Sequence, residues 1–245
     1  MSEREAKKTS ETQTEHKPTR LLLIRHALND WVGKKLAGWT PGVHLNEQGL
    51  RQAQALADRL AHEHIDAIYS SPLERTVETA EIIAKPHGLP IHIRDDLGEI
   101  RYGDWTGRSF EEIEKEQAEL WQIVRVFPSG TRFPNGESIH EMQSRALHAL
   151  DVIIRAHPGE TVAVVSHADV IKACVAHYLG VHLDLFQRIV ISPASLTIVE
   201  MYPWGPRVLC VNDTSHVPEE PPEQGEETLE GGTSATVQKG ETAAH

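Results

Sequence analysis

The chain has 245 residues, a formal net charge of −12 and two cysteines, Cys174 and Cys210, a length sufficient for one large α/β domain with its own core. The two thiols sit in apolar surroundings, make no metal-ligand spacing and cannot build a disulfide framework, which points to a reducing compartment. No segment approaches the roughly 18 apolar residues of a membrane helix, the first twenty residues lack the apolar stretch of a secretory signal, and the acidity argues against a nucleic-acid-binding face.

A cytoplasmic protein with neither a membrane nor a nucleic-acid partner is therefore expected, and a homodimer is left open. The acidity is unevenly spread. From Asp213 onward there are eight acids and one lysine, so more than half of the net charge lies in the tail and says little about a site. Composition divides the chain into a disordered extension over 1–19, a domain over 20–212 that carries the strong periodicity, and an acidic, Pro-, Gly- and Glu-rich disordered tail over 213–245.

The domain alternates strand and helix patterns. An apolar run, Leu21 to Ile24, comes first. Asn46 is an N-cap, after which Leu50, Ala53, Ala57 and Leu60 fall on one helical face. The strand 65–69 follows. Ser71-Pro72-Leu73-Glu74 reads as a capping box with proline at the first helical position, opening a helix through about Ala84. Next come a short β run at 91–93, amphipathic helices over 109–125 and 137–156, the strand 161–165, and a helix from about Asp169 to Leu179. A pair of β runs near 195–201 and 207–211 ends the domain. Such alternation predicts a three-layer α/β/α sandwich with a mostly parallel central sheet.

In such a sheet the ligand crevice lies beyond the carboxyl ends of the strands. Arg25-His26 follows the first apolar run, Ser166-His167 follows Val162 to Val165, and Arg75 follows the strand 65–69. Three strand ends thus deliver two histidines and two arginines to one place, which suits chemistry on a phosphoryl group.

Arg25-His26, Ser70-Ser71-Pro72-x-x-Arg75, Leu97-Gly98-Glu99-x-x-x-Gly103-Asp104-Trp105-x-Gly107 and Ser166-His167, in this order, resemble the histidine phosphatase superfamily, the phosphoglycerate mutase-like group. The resemblance spans residues 20 to about 200. It implies that His26, as neutral imidazole, attacks phosphorus and becomes a phosphohistidine. Arg25 and Arg75 hold the phosphoryl oxygens, and His167 donates to them as charge builds. Glu99 is the implied general acid, with Asp104 as the fallback in the same stretch. Two nearby arginines lower the pKa of Glu99 while burial and a bound dianion raise it, and the sequence does not say which wins. No metal and no cofactor is implied, and the ligand is a small phosphomonoester.

The chain departs from the family's pattern at several positions. Asn29 stands where a hydroxyl residue is expected and serves as a polar contact to phosphate or backbone. Val32 replaces an amide side chain, and Ala168-Asp169 stand where two glycines often follow the second histidine. Asp169 reads either as a helix-dipole partner or as a contact at the pocket rim for a substrate amine or hydroxyl. Residues 106–136, with Trp121, Phe127, Arg132 and Phe133, are expected to cap the pocket. The short span from Glu99 to His167 favours a phosphatase over a phosphoglycerate mutase, the runner-up, which needs a bisphosphorylated primer. A regulatory protein that binds phosphate ligands without turnover is the alternative outside enzymes. His62 and His64 read as surface, Lys34 and Lys35 as loop or as a guide for anions, and Trp105 and Trp204 as core aromatics.

Overall fold

A computed structural model describes residues 17–218; the expected disorder of the extension up to residue 16 and of the tail from residue 219 lies outside them. Six strands form one sheet in the order β3-β2-β4-β1-β5-β6. They are β1 (Thr19–Arg25), β2 (Ala67–Ser70), β3 (Ile91–Ile93), β4 (Thr161–Ser166), β5 (Leu196–Tyr202) and β6 (Gly205–Asp213). The first four run parallel. β5 and β6 add an antiparallel edge beside β1. The sheet is thus mostly parallel and mixed, as expected.

Strand residues alternate between two cores because successive side chains leave opposite faces. Leu21 and Leu23 of β1, with Val162 and Val164 of β4, face α5 (Ile139–Ala156) and α6 (Ala168–Leu179). Leu22, Ile24, Ala163 and Val165 face α1 (Glu47–Leu60) and α2 (Glu74–Ala84). The result is the three-layer sandwich. No helix of the described residues is long and apolar enough to cross a membrane. Cys174 is buried on α6, and burial pushes its thiol up to about 12.

Several local expectations are corrected. Asn46 caps α1 through its side chain, but the inward face is Ala53, Leu56, Ala57 and Leu60, and Leu50 is exposed. The capping box at the start of α2 does not form. Its N-cap is Leu73, without a side-chain bond. Ser71 Oγ accepts the N–H of Leu73 rather than that of Glu74 and also pairs with His167, while Ser71 N bonds Val165 O and Glu74 accepts the N–H of Gly42. The helix expected over 109–125 breaks at Gln117 into α3 (Phe110–Glu116) and α4 (Ala118–Val126). The Gln117 side chain accepts the indole N–H of Trp105 across that break. Trp105 is a core aromatic, whereas Trp204 is 66% exposed in the β5–β6 turn, stacked on Tyr202.

The ordered chain also passes the expected boundary at 212. Arg59 of α1 donates to Asp213, Ser215 and His216, and Val217 packs on the α1/α2 core. His216 Nε2 donates to Ala194 O at 2.9 Å, and Ala194 N donates to His26 O at 3.3 Å.

Candidate active site

β1 and β4 are neighbours with Arg25 opposite Ser166, and Ser70 of β2 lies opposite Val165. Their three carboxyl ends are therefore level. After β1 the chain turns to α1 on one face of the sheet; after β4 it enters α6 on the other. The outgoing segments part, and a crevice opens between them at this switch point. His26 N donates to Ser166 O at 3.0 Å and Ser71 N to Val165 O at 3.0 Å, tying the three ends together. The rings of His26 and His167 sit 5.3 Å apart. A cavity of about 720 Å³ opens there and is lined by Arg25, His26, Asn29, Arg75 and Glu99 among others.

Nδ1 of His26 lies 2.8 Å from Ala27 O. A carbonyl only accepts, so the proton is on Nδ1 and Nε2 keeps its lone pair. Burial, then the charges of Arg75 and Arg25, hold the His26 pKa well below its ordinary value. The ring is neutral at physiological pH. His167 is fully buried, and its pKa is likewise held well below the ordinary value by burial first, then by Arg75, His26 and Arg25. Its Nε2 lies 2.8 Å from Ser71 Oγ and its Nδ1 3.3 Å from Arg75 Nη2.

Both guanidiniums are sunk into the protein, and desolvation lowers the pKa of each. Arg25 donates to Ile191 O and Arg75 to Gly38 O. Arg25 Nε and Arg75 Nη1 are buried with no hydrogen-bond partner among the described residues. Neither arginine makes an ion pair there. Arginine does not lose its proton under ordinary conditions, and a buried charge is costly unless paired. The pair thus has the charge and the free donors to hold an anion.

Glu99 Oε1 accepts the N–H of Ile100, and Oε2 lies 3.9 Å from His167 Nδ1. Burial raises its pKa to about 7, with Asp169 adding to the rise and Arg75 and Arg25 opposing it. The competition that the sequence left open is won by desolvation. Asp104 is exposed, accepts from Asn135 and does not line the cavity.

Several residues supporting this site were not singled out from sequence. Arg145 of α5 donates to the carbonyls of Asp96, Gly98 and Glu99 and pairs with Glu137 at 2.6 Å. Trp39 Nε1 donates to Glu99 O at 2.7 Å. Together they fix the backbone that carries Glu99. Arg145 lies in a helix whose pattern shows only amphipathicity, so nothing local marked it. Asn29 Oδ1 accepts Trp31 N at 3.0 Å, which leaves its amide NH₂ as a donor.

Asp169 stands in the first turn of α6, as its first reading has it, and also lines the cavity, as the second requires. It accepts from the Tyr102 hydroxyl and pairs with Lys172. Trp121 and Phe133 belong to the cavity wall as expected, but Phe127 is exposed and Arg132 pairs with Glu141 on the surface. Lys35 lies at the cavity, its Nζ 5.1 Å from the centre of the Trp31 ring. His64 is exposed and bonds Asp66 away from the cavity.

Comparison with known proteins agrees with this geometry. Residues 21–214 match the family model of the histidine phosphatase superfamily (branch 1). The chain is 35% identical over 202 residues to "Phosphoserine phosphatase 1" of Hydrogenobacter thermophilus, covering 82% of this chain and 95% of that protein. It is 35% identical over 176 residues to "Metal-independent phosphoserine phosphatase" of Arabidopsis thaliana, covering 70% and 74%. Among solved structures, Bacillus stearothermophilus YhfR superposes with a TM-score of 0.78 at 33% identity, covering 82% of this chain and all of the other. The chain belongs to branch 1 of the histidine phosphatase superfamily and is a phosphomonoesterase of that type.

Proposed function

We propose that the protein hydrolyses small phosphomonoesters through a phosphohistidine on His26, without help from a cofactor. One observation carries this reading: two buried guanidiniums, free of any ion pair among the described residues, flank two neutral histidines at the mouths of parallel strands. A phosphate dianion is the complement of that arrangement.

Nε2 of His26 attacks phosphorus as the bond to the alcohol oxygen breaks. The imidazole gains positive charge in this step, and its Nδ1–H already points at Ala27 O to spread that charge. Arg25, Arg75 and Asn29 hold the non-bridging oxygens. His167 adds a donor once its proton is on Nδ1. Glu99, protonated near neutral pH, gives its proton to the leaving oxygen. Its carboxylate then takes a proton from water, the water oxygen bonds to phosphorus, the P–N bond breaks, and phosphate leaves with both side chains restored. Splitting one displacement into two is the gain of covalent catalysis.

Phosphoserine is the first substrate to try, since two relatives are named for acting on it. Phosphorus NMR of wild type and His26→Ala with phosphoserine and 3-phosphoglycerate tests the reading. Free phosphate released by wild type, with below one per cent of that rate in the variant, is the expected result. Equal rates in the two proteins remove His26 as nucleophile. Conversion of 3-phosphoglycerate to its 2-isomer without free phosphate makes the protein a mutase.

A further inference from the structure

The cavity extends well beyond the phosphoryl end. Its outer wall is apolar and aromatic, with Trp31, Phe110 and Trp121, and three cations stand along it: Lys35, Arg125 and Lys172. Lys172 is taken up by Asp169 at 3.1 Å and Gln187 at 3.0 Å. The other two make no ion pair among the described residues. Lys35 comes from the loop after β1 and Arg125 from the last turn of α4, so separate segments bring them to one opening. Glu112, close enough to feel Lys35, is committed to capping α3 through the N–H of Ser109. Two cations at one cavity without a direct ion-pair partner among the described residues, Lys35 held over the Trp31 ring and only within the field of Glu112, stand out in a chain of net charge −12.

Resting on the phosphatase reading, we propose that Lys35 and Arg125 form a second anion subsite, and that the preferred substrates are phosphomonoesters whose alcohol is an apolar body ending in a carboxylate. The aromatic wall covers the body while the cations meet the far charge. A rim cation facing a solvated anion contributes modestly and mainly through binding. Together the two supply about a tenfold preference, and salt weakens it.

The pair 4-carboxyphenyl phosphate and phenyl phosphate isolates this effect. Wild type and Lys35→Met/Arg125→Met are compared by kcat/KM on both esters at low and high salt. The ring carboxylate alters the leaving oxygen equally in both proteins, so the decisive quantity is the change in ratio. The expected result is a wild-type preference for the carboxylated ester that lies in KM, shrinks with salt and falls about tenfold in the double variant. Lys35→Arg/Arg125→Lys restores it. An identical ratio in wild type and the Met variant overturns the proposal. Calorimetry of both esters with His26→Ala reads the same discrimination as a Kd ratio without turnover. Failure of the phosphohistidine reading, seen as activity in that variant, is thus distinguishable from failure of the subsite.

Discussion

Ser71 Oγ and His167 Nε2 lie 2.8 Å apart inside the protein, and both residues are fully buried. The Arg75 guanidinium, which only donates, faces Nδ1 at 3.3 Å, so in this structure Nε2 carries the proton and donates to Ser71 Oγ. Once a phosphoryl group takes up that guanidinium, the hydroxyl can turn and donate instead. With the hydroxyl donating to Nε2, Nδ1 bears the hydrogen and can donate toward the phosphoryl group. Ser71→Ala is expected to lower kcat about 10- to 100-fold, the range for partners that orient a functional imidazole, with little change in KM. Ser71→Thr, which keeps the hydroxyl, should recover part of the loss. An unchanged kcat in Ser71→Ala removes this role.

On the proposed mechanism the raised pKa of Glu99 sets the alkaline side of the pH profile. The acid form is the proton donor, so kcat/KM falls as pH rises through about 7. His26 is proposed to act as the neutral nucleophile, and its pKa is depressed, so its acid limb is expected well below the ordinary imidazole range. Glu99→Gln should abolish the alkaline limb and slow alkyl esters far more than p-nitrophenyl phosphate, whose leaving group needs no proton. Equal slowing of both esters removes Glu99 as the donor.

Gly98 packs against the ring of Trp39, the tryptophan that holds Glu99. A Cβ there would lie 2.3 Å from Trp39 Cζ2, too close without movement of the ring. Gly98→Ala is expected to cost about 1–3 kcal/mol of stability by overpacking. Because Trp39 also bonds Glu99 O, kcat should fall as well. Thermal unfolding and steady-state kinetics on one preparation measure both.

The parts of the site legible in the sequence share one property. His26, Arg25, Arg75 and His167 each follow an apolar run closely, so strand periodicity alone aligned them. Glu99 rested on its motif, since the short β3 ends at Ile93 and a turn over Asp95–Leu97 comes between them. The supporting residues carry no local signal: Trp39 and Arg145 reach the Glu99 backbone from 60 and 46 positions away. Ser71 gave a signal that misled, because the helix begins two residues later, with Leu73 as N-cap, and the hydroxyl serves His167 instead. Composition drew the domain boundary at 212, where polar sequence begins, although Arg59, on a distant helix, binds the next few residues.

That boundary has a measurable outcome. A chain ending at residue 212 loses the Arg59–Asp213 pair, the His216 bond to Ala194 and the packing of Val217. Its Tm should fall by roughly 3–10 °C, as for a loss of a few kcal/mol in a domain of this size. Its kcat should fall too, since Ala194 holds the backbone of His26. A chain ending at residue 218 should match the full-length protein. Equal Tm values for the two truncations would show that this brace contributes nothing.

The location of the thiols has a consequence for chemical resilience. Cys174 is shut in the core with almost no thiolate at any physiological pH, and neither cysteine lines the cavity. Oxidants and alkylating agents act on thiolates. On the proposed imidazole chemistry, activity is expected to survive peroxide or iodoacetamide that would silence a phosphatase using a reactive cysteine.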